Sequence, residues 1–206
     1  MYLVLVCGGI ASGKSSVARH LETLGATRLD LDEITHEIYE AGSPVLGRVA
    51  REFGADVLDE NGALRRDVLA ARAFATPADV RRLEAIVHPE VTRRLLERLG
   101  EGPADGVAVV EVPLLDRVEA LSERADEVLV VACPRRTRRV RAIGRGMSGE
   151  DFDARAGLQP TDDWLLAHAT TVIDNTGSAE ACLEQVDAWW TGLGARRAKA
   201  RGGHEG

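Results

Sequence analysis

The 206 residues are patterned for a three-layer α/β/α domain built on a parallel five-stranded sheet. Short runs of β-forming apolar residues alternate with amphipathic stretches of helical period, an order that buries a parallel sheet between helices. The runs are bounded by glycine, proline or acidic residues, as buried strands are. One irregularity adds to this: about seventy residues between the second and third runs carry only helical patterns, too many for a plain crossover. They read as a helical insertion beside the sheet.

In chain order, the first strand covers 2–6, and a glycine-rich turn leads into an amphipathic helix over 14–24. Gly25 stops that helix, and 26–31 reads as a second strand ending in acidic residues. Asp32 is placed to cap a helix over 33–39 that carries Ile34 and Ile38. The insertion, 33–102, contains helical patterns over 45–53, 65–74 and 78–99, and Gly102-Pro103 and Asp105-Gly106 return the chain to the sheet. Further strands follow at 107–112, 127–133 and 170–173. A last helix runs from 178 to about 190, with Gly192 and Gly194 as its stop. The core is thus 1–32 with 103–192, a lid segment lies at 135–160, and 195–206, without strong apolar residues, is expected to be a disordered tail.

Composition narrows the function. A formal charge of −7 argues against a dedicated nucleic-acid binder, whose affinity would rest on counterion release. Cys7, Cys133 and Cys182 are odd in number and far apart, which suits neither a disulfide framework nor a metal site and fits a reducing, cytoplasmic setting. The apolar start lacks a basic n-region and breaks at Gly8-Gly9, and no apolar run approaches the roughly 20 residues of a membrane span.

The segment Gly8-Gly9-Ile10-Ala11-Ser12-Gly13-Lys14-Ser15, continued by Ser16, fits G-x-x-x-x-G-K-[ST] between a strand and a helix. Glycines let the backbone wrap closely enough for successive N–H groups to point at phosphate oxygens, and the helix N-terminus adds partial positive charge. Lys14 would reach the β- and γ-phosphates of ATP and Ser15 would ligate Mg²⁺. A chance glycine-rich turn is the competing reading. Ala11 stands where many such loops carry glycine.

Ligands of parallel sheets bind beyond the strands' carboxyl ends, which makes Asp30, Asp32 and Glu111 candidates. Asp32 could accept or orient an acceptor hydroxyl's proton, or only cap its helix. Glu111, ending the third strand, could hold the magnesium shell, or be a solvent-facing strand end. Arg138, Arg141 and Arg145 share a helix face able to clamp phosphate. Arg141 and Arg145, beside Gly144, Gly146 and Gly149, suit a mobile lid, while Arg135, Arg136 and Arg139 read as a solvated side. The five histidines form no metal-binding cluster.

Taken in order, the phosphate loop, Asp30-Leu31-Asp32, His88-Pro89, Val112-Pro113-Leu114-Leu115 and Ile173-Asp174-Asn175-Thr176-Gly177-Ser178 resemble the dephospho-coenzyme A kinase family of P-loop enzymes. The resemblance runs to about Trp190. It implies a nucleotide core, a helical acceptor-binding insertion and a lid closing on ATP and dephospho-CoA, with the ribose 3′-hydroxyl as acceptor. It further implies Asp32 as base, Arg141 and Arg145 on the lid approach, Arg155 and Gln159 in an R-x-x-x-Q element, Asn175 near the adenine, and His88 and Leu114 on the acceptor side. The chain departs from the common pattern at Cys7, Ala11, Leu31 and Asp116-Arg117, and its lid is about a residue short.

Three alternatives stand beside this reading. Another P-loop small-molecule or nucleotide kinase would keep the loop and lid. A nucleotide-binding switch is disfavoured because no N-K-x-D segment is present. A non-catalytic relative is disfavoured by intact Lys14, Ser15 and Asp32.

Overall fold

Residues 1–202 are described by a computed structural model, and they divide into two compact units. One comprises Met1–Leu29 and the chain from Gly102 onward; the other is Asp30–Glu101. The strands are β1 (Tyr2–Cys7), β2 (Thr27–Asp30), β3 (Val107–Glu111), β4 (Glu127–Ala132) and β5 (Thr171–Asp174). They form one parallel sheet in the order β2-β3-β1-β4-β5. Register sets Val4 beside Val109 on one side and Glu127 on the other, and Val131 beside Ile173.

Along the chain, α1 (Lys14–Thr23) follows β1, and α2 (Leu31–Ile38), α3 (Pro44–Phe53), α4 (Arg66–Ala73) and α5 (Pro77–Glu101) fall between β2 and β3. The short α6 (Glu119–Ser122) precedes β4, α7 (Arg135–Gly144), α8 (Gly149–Gly157) and α9 (Asp162–Ala167) precede β5, and α10 (Ala179–Gly202) closes the described chain.

Every residue of β1 is buried, as the central strand of a parallel sheet requires. By the two-residue strand period, Tyr2, Val4 and Val6 share one face, packed with Val17 and Leu21 of α1 and Val186, Trp189 and Leu193 of α10. Each such side chain contributes about 1.5–3 kcal/mol on full burial. Leu3 and Leu5 occupy the opposite face, where α9 lies against β4 and buries Leu165. At the amino end of the sheet the buried Glu127 carboxylate accepts from Tyr2 Oη at 2.9 Å, Trp189 Nε1 at 2.8 Å and Thr171 Oγ1 at 3.1 Å. That polar node fastens β1, β4, β5 and α10 at the end away from the phosphate loop.

The second unit has its own core, in which Ile38 of α2, Val45, Val49 and Phe53 of α3, Leu69 of α4 and Val87 of α5 pack together. Its limits, Asp30–Glu101, compare with the 33–102 expected for the insertion.

Two expectations are corrected. The helix after β2 begins at Leu31, and its cap is Asp30, whose side chain accepts the Asp32 N–H at 2.9 Å. Asp32 therefore sits inside the first turn. The last helix also does not stop at Gly192 or Gly194 but continues to Gly202. Each interior glycine costs only about 1 kcal/mol relative to alanine, and the Ala, Arg and Lys beyond them are good helix formers. The tail expected at 195–206 is thus helical over 195–202, and its remaining four positions lie outside the described residues.

Candidate active site

At the carboxyl end of β1 the backbone turns through Gly8 at φ +148° and Gly13 at φ +105°. Both need glycine: a Cβ on Gly8 would lie 2.6 Å from Ser12 Oγ and from the Val131 carbonyl, and one on Gly13 would lie 2.3 Å from Asn175 Nδ2. Ala11 takes the left-handed conformation at φ +60° without glycine's freedom. The helix that follows starts on Gly13 with no side-chain cap and no acidic residue in its first turn. By contrast α2, α3, α8 and α9 are capped by Asp30, Ser43, Ser148 and Thr161. A helix start without cap or acid leaves amide donors and the positive dipole end for an anion. Ser12 Oγ is buried and, among the described residues, is the buried side-chain polar atom without a hydrogen-bond partner. Lys14 folds back over the loop, its Nζ 3.5 Å from the Gly9 carbonyl, and Ser15 and Ser16 are exposed on α1.

Side chains from beyond β4 hold this loop. Gln159 Oε1 accepts the Ile10 N–H at 2.7 Å, and its Nε2 donates to the Pro113 carbonyl at 3.4 Å. Asn175 is buried and donates from Nδ2 to the Ser12 carbonyl at 2.7 Å. Its amide thus supports the loop's own backbone. Arg138, only 5% exposed, lies against Gly9 and is bound to Asp162 of α9.

Glu111 is buried, which removes the reading of a solvent-facing strand end, and its Oε1 accepts from Arg28 Nε at 2.8 Å. Arg141 is partly buried on α7, within 3.5 Å of Cys133 Sγ and 3.4 Å of the Gly177 carbonyl, while Arg145 is exposed at the end of α7. Arg155 is exposed on α8 and Leu114 is half-buried after β3. An apolar pocket opens beside Gly9, lined by Cys133, Pro134, Asp162, Leu165, Leu166 and Thr176. Burial pushes the Cys7 thiol up to about 12, outweighing the opposing charge of Lys14. The Cys133 thiol is raised for the same reason, against the pull of Arg141 and Arg138.

In the second unit, Asp32 is exposed in the first turn of α2, and His88 is exposed on α5 one residue before Pro89, which the helix carries in its interior.

The sequence alone does not mark Arg28 or Asp162, and in it Arg138 reads only as one cation on a helix face. The available signals were a lone arginine within the short β2 pattern and an acid following Thr161. Neither pattern names a partner.

The family model described as dephospho-CoA kinase matches residues 2–181. A dephospho-CoA kinase of Frankia casuarinae is 40% identical over 197 residues, covering 96% of this chain and 86% of the relative. One of Anaeromyxobacter dehalogenans is 40% identical over 190 residues, covering 91% and 90%. Among solved structures, a protein from Thermus thermophilus superposes with a TM-score of 0.78 at 34% identity over 93% of this chain and 97% of its own. The dephospho-CoA kinase from Campylobacter jejuni shares the fold, with a TM-score of 0.70 at 23% identity over 93% and 96%.

Proposed function

Because the chain belongs to the dephospho-CoA kinase family, phosphotransferases of the final step of coenzyme A biosynthesis, we propose which of its residues carry the transfer from ATP. The observation that carries the proposal is the uncapped start of α1 beside a glycine loop braced by Gln159 and Asn175.

ATP's phosphates lie along the N–H groups of 8–16, with Lys14 on the β- and γ-phosphates, and Ser12 Oγ gains an anionic acceptor there. The base occupies the apolar cavity near Thr176 and Asn175. Asp32 accepts or orients the proton of the ribose 3′-hydroxyl as that oxygen attacks the γ-phosphorus and the bond to the ADP oxygen breaks. Arg141 and Arg145 bring positive charge to the transferring group, and Arg155 and Gln159 close the lid segment over it. The unit Asp30–Glu101, with His88, and Leu114 serve the acceptor.

Magnesium fits the donor chemistry: the exposed Ser15 hydroxyl is the hard oxygen such an ion takes alongside phosphate oxygens and water, and Glu111 is assigned to its water shell. The bound ion would spread the negative charge of the β- and γ-phosphates. Among the described residues no helix is long and apolar enough to cross a membrane, and three buried free thiols suit a cytoplasmic setting.

Coupled ADP release with and without dephospho-CoA tests the proposal. Release should depend on the acceptor and fall by about 10²-fold or more in Lys14→Ala, which loses its charge opposite the transferring phosphate. Release indifferent to the acceptor, or a Lys14→Ala protein with near-normal turnover, would overturn it.

A further inference from the structure

The motif asks for no glycine at position 9, and Gly9 is not among the positive-φ residues. What requires it is Arg138. A Cβ on Gly9 would fall 1.9 Å from Arg138 Nη1 and 2.5 Å from its Cζ, so the guanidinium rests directly on the Gly9 backbone. The group is held there from two further sides: Nε donates to the Cys133 carbonyl at 2.9 Å, and Nη2 donates to Asp162 Oδ1 at 2.6 Å and Oδ2 at 2.9 Å. The Arg138 side chain is 6% exposed and that of Asp162 is 47% exposed. A cation so far removed from water needs its carboxylate, because burying an unpaired charge is costly.

We infer that Arg138 is a positioning residue of the phosphate loop: paired with Asp162, it fixes the turn at Gly9 and so sets the affinity for the nucleotide's polyphosphate. Its position makes it more than a helix-to-helix tie. Asp162 opens α9 and Gln159 lies three residues before it, so one short segment reaches the loop twice, at Gly9 through Arg138 and at Ile10 directly. A loop held in shape before binding loses less conformational freedom when phosphate arrives. That gain acts equally on the bound ground state and the transition state, so it belongs in KM and not in kcat. The inference rests on the reading that ATP's phosphates occupy this loop, but not on which hydroxyl receives the phosphoryl group.

The test compares the parent enzyme with Arg138→Met and with Arg138→Met/Asp162→Leu, measuring steady-state kinetics, melting temperature and ADP affinity by calorimetry without acceptor. Kinetics are run where circular dichroism shows every variant folded. Arg138→Met should melt lower and raise the KM for ATP and the Kd for ADP about tenfold, with kcat within about threefold and the KM for dephospho-CoA within about twofold. The Asp162 carboxylate, 47% exposed, is solvated once its partner is gone, so the double variant should melt close to Arg138→Met while nucleotide affinity stays weak. ADP affinity within about twofold of the parent in either variant would overturn the inference and leave the pair a structural tie. Equal rises in both KM values would overturn it too. Since ADP binding is read without acceptor, an error about the acceptor would leave this result standing.

Discussion

The side-chain oxygen of Gln159 accepts the backbone N–H of Ile10 at 2.7 Å, joining the segment after α8 to the phosphate loop across 149 residues of sequence. The loop's shape therefore depends on a side chain from the region that must move if a lid closes over ATP. Release of that bond would be felt at the loop first.

Gln159→Leu should lower stability by about 1 kcal/mol, the usual worth of one such bond, and speed amide exchange at Ile10. Gln159→Glu keeps an acceptor oxygen and should restore protection at Ile10, while its charge beside the phosphates weakens ATP binding. Hydrogen exchange resolved to Ile10 is the measurement. Equal protection in all three proteins would mean that the bond does not shape the loop.

Ala11 at φ +60° carries strain of about 1–2 kcal/mol that glycine would not. Glycine's larger unfolded-state freedom takes back about 0.4–1 kcal/mol, so Ala11→Gly should be stabilising by about 0.5 kcal/mol net. Ala11→Val, with a branched Cβ in the same conformation, should lose about 1–3 kcal/mol. Chemical denaturation of the pair gives the ordering, and a valine variant as stable as the glycine variant would show that this turn is not left-handed in solution.

Cys7 supplies the pH prediction. Burial holds its thiol neutral up to about 12, whereas in the unfolded chain it ionises near 9. Between those values the folded state binds more protons than the unfolded one, so stability falls as pH rises, by about 1.4 kcal/mol per unit for this group. Below the unfolded value the term vanishes. Cys7→Ala should therefore show a shallower loss of stability from pH 9 to 10.5 than the parent, and Cys7 should resist alkylation at pH 8 until the protein unfolds. Identical slopes would place the thiol in a less buried setting.

How much of this was legible in the sequence follows the range of the interactions. The strands and the phosphate loop rest on local periodicity and a contiguous motif, and β1 and α1 stand within a residue of where that pattern puts them. The pairs Arg28–Glu111 and Arg138–Asp162 span 83 and 24 residues, and a run of arginines gives no sign of which one turns inward. Arg138 became the buried one because Gly9 leaves room for it. The end of α10 departs from its local pattern for a different reason: two glycines weaken a helix but do not outweigh the packing of Val186, Trp189 and Leu193 around them. The cap of α2 is ambiguous locally, since either acid of Asp30-Leu31-Asp32 satisfies the capping pattern and only backbone geometry decides between them.

That decision sharpens the test of Asp32. Asp30 is the cap and accepts the Asp32 N–H, so Asp32→Asn removes a carboxylate without removing a cap. One structural cost is the loss of one acid from the first turn of α2, about 0.3–1 kcal/mol of helix-dipole interaction. A group that accepts or orients the hydroxyl proton should instead cost about 10²–10⁴-fold in rate. Asp32→Asn is therefore expected to melt close to the parent, to bind ATP with little change and to phosphorylate dephospho-CoA at least about a hundredfold more slowly. Asp30→Ala is the converse control, losing about 1 kcal/mol of stability with the cap while Asp32 keeps its charge. Stopped-assay turnover with saturating substrates and thermal melts of both variants give the comparison. An Asp32→Asn enzyme within a few-fold of the parent would move the proton-accepting role to another residue, with Asp30, two positions away, the first to examine.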